Sequence, residues 1–359
     1  MGGGPLKDKI LVAIPGKEPT EIIKHLEKKF PDIEITFVSP APDFTFKDSK
    51  NLPISIFKDK TILVTFFSLP PTPEDAPSLD WIHFFSAGTN HVVDHPIYKD
   101  TDITLTTSSG VHGPQIAEWV IGTALAHSHN LYNLYERQKE HKWKEEGRRY
   151  VVHDLVKQRL GVLGYGSIGR QVARLAKALG MDVIAYTATP KDTPEKRADN
   201  GYIVPGTGDP DGEIPSKWYS GLGKEDLHEF LKQDIDILVL TLPLTDDTRH
   251  MISTPEFEIL SRKHTFISNI SRGAIIDQPA MIAALEKGLI RGAAVDVTDP
   301  EPLPDDDPLW SAPNTIVTPH VSGNASSYIE RAFGVLELNL EKRQKGEPLV
   351  NVVNRRRGY

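Results

Sequence analysis

Short apolar runs rich in β-branched residues alternate with helix-period stretches along almost the whole chain, the pattern of α/β folding with parallel sheets. In the first third, Ile10–Ile14, Ile33–Val38, Thr61–Thr65, Trp81–Phe85 and Ile103–Thr107 read as strands. Runs this continuously apolar fit strands covered by helices on both faces. Thr20–Lys29, with Ile22, Ile23 and Leu26 ahead of Phe30, supplies one such helix. A longer helical pattern, Gln115–Lys142, passes into a charged stretch, Glu136–Arg149, and is expected to bridge two domains. A second series begins at Arg159, with strands expected at Leu160–Leu163, Val183–Tyr186, Ile237–Leu242, Phe266–Asn269, Ala293–Val295 and Thr315–Thr318. The helix Ser326–Lys345 follows and is expected to return the chain to the first domain. Ala188–Gly223 breaks the rhythm, with five Pro and six Gly in 36 residues. It reads as a long irregular loop, a feature that is usually functional or mobile.

Composition narrows the options. With 359 residues the chain has room for about two domains. A net charge of −8 disfavours a phosphate-backbone groove, so no nucleic-acid partner is expected. The absence of cysteine excludes disulfides, thiolate metal sites and a cysteine nucleophile, and suits a reducing compartment. No uncharged apolar stretch approaches the ~20 residues of a membrane span. Met1–Leu6 lacks the features of a secretory signal and reads as a flexible start, so a cytoplasmic location is expected. No metal site is expected.

The strongest motif is Gly164-Tyr165-Gly166-Ser167-Ile168-Gly169, preceded by an apolar strand and followed by an amphipathic helix. Such a turn cradles a pyrophosphate: Gly164 allows the tight turn, Gly166 lets the backbone approach, and Gly169 lets helix and strand pack closely. A carboxylate that would hold a free ribose is expected at the end of the second strand. That end reads Tyr186-Thr187-Ala188-Thr189, with Asp182 at the opposite end. Thr187, Thr189, Lys191 and Arg197 could instead meet a 2′-phosphate, so NADP is expected, with NAD as the alternative.

Arg272, Glu301 and His320 each follow a strand-like run, where α/β sheets bind ligands. With the glycine turn, Pro243-Leu-Thr245 and Thr248, Asn269–Gly273 with Asp277, Asp296–Pro302, Thr318–His320 and Ser86–His91, they resemble the D-isomer-specific 2-hydroxyacid dehydrogenases over essentially the whole chain. The resemblance implies two Rossmann-like domains with parallel sheets. The substrate domain would be flavodoxin-like and split, 1–114 and 325–359, with the dinucleotide domain, 115–324, inserted. It further implies a homodimer joined through the nucleotide domains, and reduction of a 2-keto acid to the D-2-hydroxy acid. Arg272 would hold the substrate carboxylate and polarise its carbonyl, and His320 would be the general acid, or the base in reverse. Glu301 would bond the other imidazole nitrogen, and a neighbouring carboxylate favours imidazolium. Ala87, Gly88 and Thr89 would form a second carboxylate cradle. The cofactor contacts implied are Gly164, Tyr165, Gly166, Ser167, Ile168, Thr187, Leu242, Pro243, Leu244, Thr248, Ile270, Ser271 and Asp296, the last at the nicotinamide carboxamide.

The departures from the family pattern are the missing ribose carboxylate, Asp299 where many relatives have Glu, and the length of Ala188–Gly223. Glu301 rather than Gln argues against a formate dehydrogenase, and the short run after His320 argues against the long phosphoglycerate dehydrogenases. Phe66, Phe67 and Leu69 would suit a small or apolar keto acid or serve as packing, and His112 is expected to be structural. Two other outputs of such a scaffold are oxidation of a small anion such as phosphite, and a dinucleotide-sensing corepressor.

Overall fold

The computed structural model describes residues 8–40, 52–89, 91–143 and 152–355. Met1–Leu6, Asn90 and the 144–149 part of the charged stretch lie outside them. The chain divides into two compact units, Met1–Val111 with Ser326–Tyr359, and His112–Ala325.

In chain order, the first unit carries β1 (Asp8–Ala13), α1 (Thr20–Lys29), β2 (Ile33–Val38), β3 (Ile62–Thr65), β4 (Trp81–Phe84), α2 (Pro96–Lys99) and β5 (Thr104–Thr107). The second carries α3 (Gly113–Ser128), α4 (Leu131–Lys139), β6 (Arg159–Leu163), α5 (Ser167–Ala178), β7 (Asp182–Thr187), α6 (Pro194–Arg197) and β8 (Lys217–Ser220). It continues through α7 (Lys224–Leu231), β9 (Ile237–Leu240), α8 (Thr254–Leu260), β10 (Phe266–Asn269), α9 (Gln278–Glu286), β11 (Gly292–Val295) and β12 (Thr315–Val317). The last helix, α10 (Tyr328–Lys345), belongs to the first unit.

Both sheets are parallel. The first runs β2-β1-β3-β4-β5, the flavodoxin-like order, and the second β12-β11-β10-β9-β6-β7-β8, the dinucleotide-fold order with a strand added at the far edge. Each is covered on both faces by a separate apolar cluster. In the first unit, Ile10, Val12 and Val64 face Phe333 and Leu336 of α10, while Leu11, Leu63 and Ile82 face the other side. In the second, Leu160 and Val162 pack with Val172 and Ala176 of α5, while Leu238 and Leu240 pack with Phe257 and Leu285.

Two expectations are corrected. The helix expected over Gln115–Lys142 is two helices, because Asn130 takes the left-handed conformation (φ +56) and ends the run. The apolar period continues across Asn130, and periodicity alone cannot register a single reversed residue. The 188–223 segment is not a structureless loop. It contains α6 and contributes β8, which pairs with β7 from Ile184↔Lys217 to Thr187↔Ser220 and makes this a seven-stranded sheet.

Candidate active site

The glycine turn follows β6. Gly164 adopts φ +100, and a Cβ there would lie 2.9 Å from the Thr241 carbonyl oxygen at the end of β9. On Gly169 a Cβ would lie 2.4 Å from the Gly164 oxygen and 2.8 Å from Val162, so α5 reaches β6 only because Gly169 carries no side chain. Gly166 has no such neighbour; the space in front of it is open. Among the described residues, no group accepts a hydrogen bond from the N–H of Tyr165, Gly166, Ser167 or Ile168. Free donors at the start of a twelve-residue helix are what a pyrophosphate requires, and the turn fits one. Beside it, the Thr248 hydroxyl donates to the Pro243 carbonyl and accepts from the Thr245 N–H, closing the turn that holds Leu242 and Leu244 half-buried against the core.

The end of β7 carries no acid from Thr187 to Lys191. Asp182 is its first residue and pairs there with Arg159 at 2.8 Å, far along the strand from the turn. The Thr187 hydroxyl donates to the Thr189 carbonyl, and Arg197 Nε to the Lys191 carbonyl, so both brace their own loop. The Lys191 ammonium has no hydrogen-bond or ion-pair partner among the described residues. Burial lowers its pKa, and the nearby Arg170 charge lowers it further.

At the end of β10, the Asn269 side chain organises the next loop: its Oδ1 accepts from Ser271 N–H and Oγ, and its Nδ2 donates to the Arg272 carbonyl. Ile270 and Ser271 are buried by this arrangement. Arg272 uses one of the five N–H donors of its guanidinium within the described residues, to the Ser271 carbonyl at 2.7 Å. Burial is the main pressure on this cation and lowers its pKa, with the Glu301 carboxylate opposing. Gly273 carries the same logic forward. A Cβ there would meet the Thr298 carbonyl carbon and oxygen at 2.0 Å, so the Arg272 loop and the 298–301 loop touch backbone to backbone.

Glu301 accepts from the Thr298 N–H through Oε1 and faces His320 Nδ1 at 3.2 Å through Oε2. Both side chains of the pair are half-exposed, and the second imidazole nitrogen has no partner among the described residues. His320 itself is held at φ +53, a left-handed conformation that costs about 1 kcal/mol or more for a side-chain-bearing residue. Its N–H donates to the Asp296 carbonyl at 2.8 Å, and the Asp296 carboxylate fixes the rest of the loop. That carboxylate accepts from Thr318 Oγ1, Val321 N–H, Ser322 N–H and Ser322 Oγ, a full complement for two oxygens. Contact of Asp296 with a nicotinamide amide would displace one of these.

In the first unit, no described group accepts a hydrogen bond from the N–H of Ala87, Gly88 or Thr89, while the Ser86 hydroxyl donates to the Gly88 carbonyl. Phe66 stacks on Phe67 and Tyr328, each at 6.0 Å between ring centres, whereas Leu69 is buried in the core. His112 precedes α3 without capping it through its side chain.

Sequence reasoning gave no role to Asn269, or to Asp209 in the 188–223 segment. An Asn followed two residues later by Ser at a strand end is a local Asx-turn signal that could have marked the first. Asp209 is buried and bonds the Tyr165 hydroxyl at 2.7 Å. Its partner lies 44 residues away, and no local pattern announces it.

Among the described residues, no helix is long and apolar enough to cross a membrane. The model of the D-isomer specific 2-hydroxyacid dehydrogenase NAD binding domain matches residues 121–204 and 211–322. A D-3-phosphoglycerate dehydrogenase of Methanocaldococcus jannaschii is 30% identical over 96% of this chain, which spans 59% of that relative's length. A glyoxylate reductase of Korarchaeum cryptofilum is 28% identical over 85% of this chain and 86% of its own. The crystal structure of an NADPH-dependent glyoxylate/hydroxypyruvate reductase from Sinorhizobium meliloti, in complex with NADP and sulfate, superposes with a TM-score of 0.73. The two are 26% identical, over 98% of this chain and all of the other.

Proposed function

The chain belongs to the D-isomer specific 2-hydroxyacid dehydrogenases, and from that premise we propose that it reduces a small 2-keto acid to the D-2-hydroxy acid, with NADP(H) preferred over NAD(H). The observation that carries this reading is the polar group at the strand ends of the second unit. Among the described residues it combines a partly buried guanidinium with donors to spare, an imidazole backed by a carboxylate on one nitrogen, and a second nitrogen left open.

The nicotinamide, when bound, supplies or accepts the hydride at substrate C2. The glycine turn, with Gly164, Tyr165, Gly166, Ser167 and Ile168, would hold the pyrophosphate through backbone N–H groups. Leu242, Pro243, Leu244, Thr248, Ile270 and Ser271 would line the path beyond it, and Asp296 would reach the nicotinamide amide while holding the His320 loop. Arg272 cannot shed its charge on burial, so an anionic substrate relieves its desolvation. Its fork would bind the carboxylate and polarise the adjacent carbonyl oxygen. The N–H groups of Ala87, Gly88 and Thr89 would serve as further carboxylate donors. His320 would deliver a proton to that oxygen as negative charge develops on it, with Glu301 fixing the ring and balancing the imidazolium.

Preference for NADP rests on the absence of an acid from Thr187 to Lys191 and on Lys191, a partly buried cation without a partner among the described residues. Glyoxylate, hydroxypyruvate and longer aliphatic 2-keto acids are the substrates to try first, in keeping with the names of the relatives. Purified protein given this panel with each cofactor should oxidise NADPH with a higher kcat/KM than NADH. Tight dinucleotide binding with no turnover would instead favour a sensing role.

Leu131, Tyr132, Tyr135, Trp143, Val152 and Val156 leave large apolar surfaces exposed within one stretch of the second unit, which supports a homodimer formed there. Light scattering should give twice the chain mass, and Tyr135→Glu should halve it. The cysteine-free sequence supports a cytoplasmic location.

A further inference from the structure

The 188–223 segment is held to the second unit by side chains of the glycine turn and of the first two turns of α5. Asp209, 6% exposed, is its anchor. Its Oδ2 accepts from the Tyr165 hydroxyl at 2.7 Å and from the Ile214 N–H at 3.1 Å, and its Oδ1 accepts from the Glu213 N–H at 3.0 Å. Gln171 Oε1 accepts from the Gly208 N–H at 2.6 Å, and Arg174 donates to the Gly208 carbonyl at 3.1 Å. Arg170, 3% exposed, donates to the carbonyls of Asp209 and Arg197 at 2.5 and 2.6 Å and pairs with Asp199 at 3.4 Å. Its guanidinium lies 5.1 Å from the centre of the Tyr165 ring, which meets Trp218 edge-on at 4.9 Å. Arg197 in turn donates to the Lys191 carbonyl at 2.8 Å. A continuous path therefore runs from Tyr165, between the two turn glycines, through Asp209, Arg170 and Arg197 to Lys191.

A purely structural plug would not need these groups. Burying a charged pair costs desolvation that apolar packing avoids, and a cation in the first turn of a helix opposes the helix dipole. What the polar path supplies is a fixed position for Lys191, whose own side chain has no partner to fix it among the described residues.

We infer that Asp209 is a positioning residue for the dinucleotide site: through Tyr165 and Arg170 it sets where Lys191 stands, and so tunes discrimination between NADP(H) and NAD(H). The inference rests on the NADP preference proposed above, because Lys191 is the group through which it acts. It differs from a general stabilising role in one respect: loosening the anchor should be felt by the cofactor that carries a 2′-phosphate and not by the one that lacks it.

Equilibrium titration of NADPH and NADH against the full-length protein tests this in four forms: wild type, Lys191→Met, Tyr165→Phe and the double variant. Asp209→Asn is added if it stays folded. Tyr165→Phe removes a single hydroxyl, so it keeps the test available if the Asp209 variant fails. Lys191→Met should raise the NADPH Kd about tenfold or more and leave the NADH Kd within about twofold. Tyr165→Phe should raise the NADPH Kd by about threefold to tenfold, again sparing NADH, and should add almost nothing once Lys191 is Met. If Lys191→Met leaves NADPH binding unchanged, the NADP reading fails and takes this inference with it. If Lys191→Met discriminates but Tyr165→Phe weakens both cofactors equally, or acts undiminished on the Lys191→Met background, the positioning role alone is overturned.

Discussion

Each unit leads its sheet from a strand into a helix, β1 into α1 and β6 into α5, and the two turns are opposites in the property that a phosphate reads. After β1 the chain runs Ile14-Pro-Gly-Lys-Glu-Pro19. Two of these residues are prolines without an N–H, the Gly16 N–H donates to Ser39 Oγ at 3.1 Å, and the Thr20 N–H donates to the Glu18 carbonyl at 2.9 Å. Glu18 and Glu21 add negative charge at the helix start, where an anion would otherwise be welcome. After β6 the N–H groups of Tyr165 to Ile168 have no acceptor among the described residues, and no acid stands near them in sequence. The same architecture thus offers an anion cradle once and refuses it once. Architecture sets where a ligand could lie; the prolines and acidic side chains at one turn, and their absence from the other, decide whether an anion is held.

The largest expected effect lies beyond the turns. His320→Ala should lower kcat for keto-acid reduction by about 10²–10⁴ while leaving the NADPH Kd within about twofold, measured by steady-state rates and titration. Intact turnover with weakened cofactor binding would assign the imidazole to the wrong half of the task. Next come the turns themselves. Gly169→Ala should raise the NADPH Kd at least about tenfold, because its Cβ must displace the Gly164 carbonyl or Val162 and so deform the cradle. Gly16→Ala, at φ +99, should cost about 1 kcal/mol of stability and leave that Kd unmoved. Equal loss of binding from both changes would erase the contrast between the two turns.

The smallest effect concerns acid stability. His83 lies fully buried in β4 of the first unit, bonded to Thr106 Oγ1 at 2.8 Å and Ser108 Oγ at 3.2 Å, and burial pushes its pKa down to about 3. The unfolded chain, with an ordinary histidine near 6.5, takes up a proton that the folded unit does not. Stability from this group is therefore complete above about pH 6.5 and falls as the pH drops toward 3. Between pH 7 and 5.5 the wild type should lose about 1 kcal/mol more than His83→Gln in denaturant titrations. Parallel curves for the two proteins would show that the imidazole is charged in place.

Much of this was legible because it is local. The apolar runs from Ile10 and from Leu160 fall within a residue or two of the observed strands, since continuous β-branched runs between helical patterns have few other solutions. The glycine turn was legible for the same reason, its three glycines standing at a fixed local spacing between an apolar strand and an amphipathic helix. The break at Asn130 was not, because the apolar period runs through it and one reversed residue changes no pattern. Nor was the order in 188–223, whose anchors on Tyr165, Arg170, Gln171 and Arg174 are 27 to 44 residues distant. Glycine- and proline-rich composition reports the absence of local order and is silent about order imposed from elsewhere.

Direct hydride delivery to the keto-acid carbon is the claim on which the assignments of Arg272, Glu301 and His320 all depend. NADPH carrying deuterium at the transferred position of nicotinamide C4, incubated with protein and glyoxylate or hydroxypyruvate, tests it by mass and chiral analysis of the product. The expected result is one deuterium at C2 of the 2-hydroxy acid, in the D configuration wherever C2 is a stereocentre in the unlabelled product, with formation collapsing in His320→Ala. Deuterium lost to solvent, or a hydroxy acid formed without label, would contradict it.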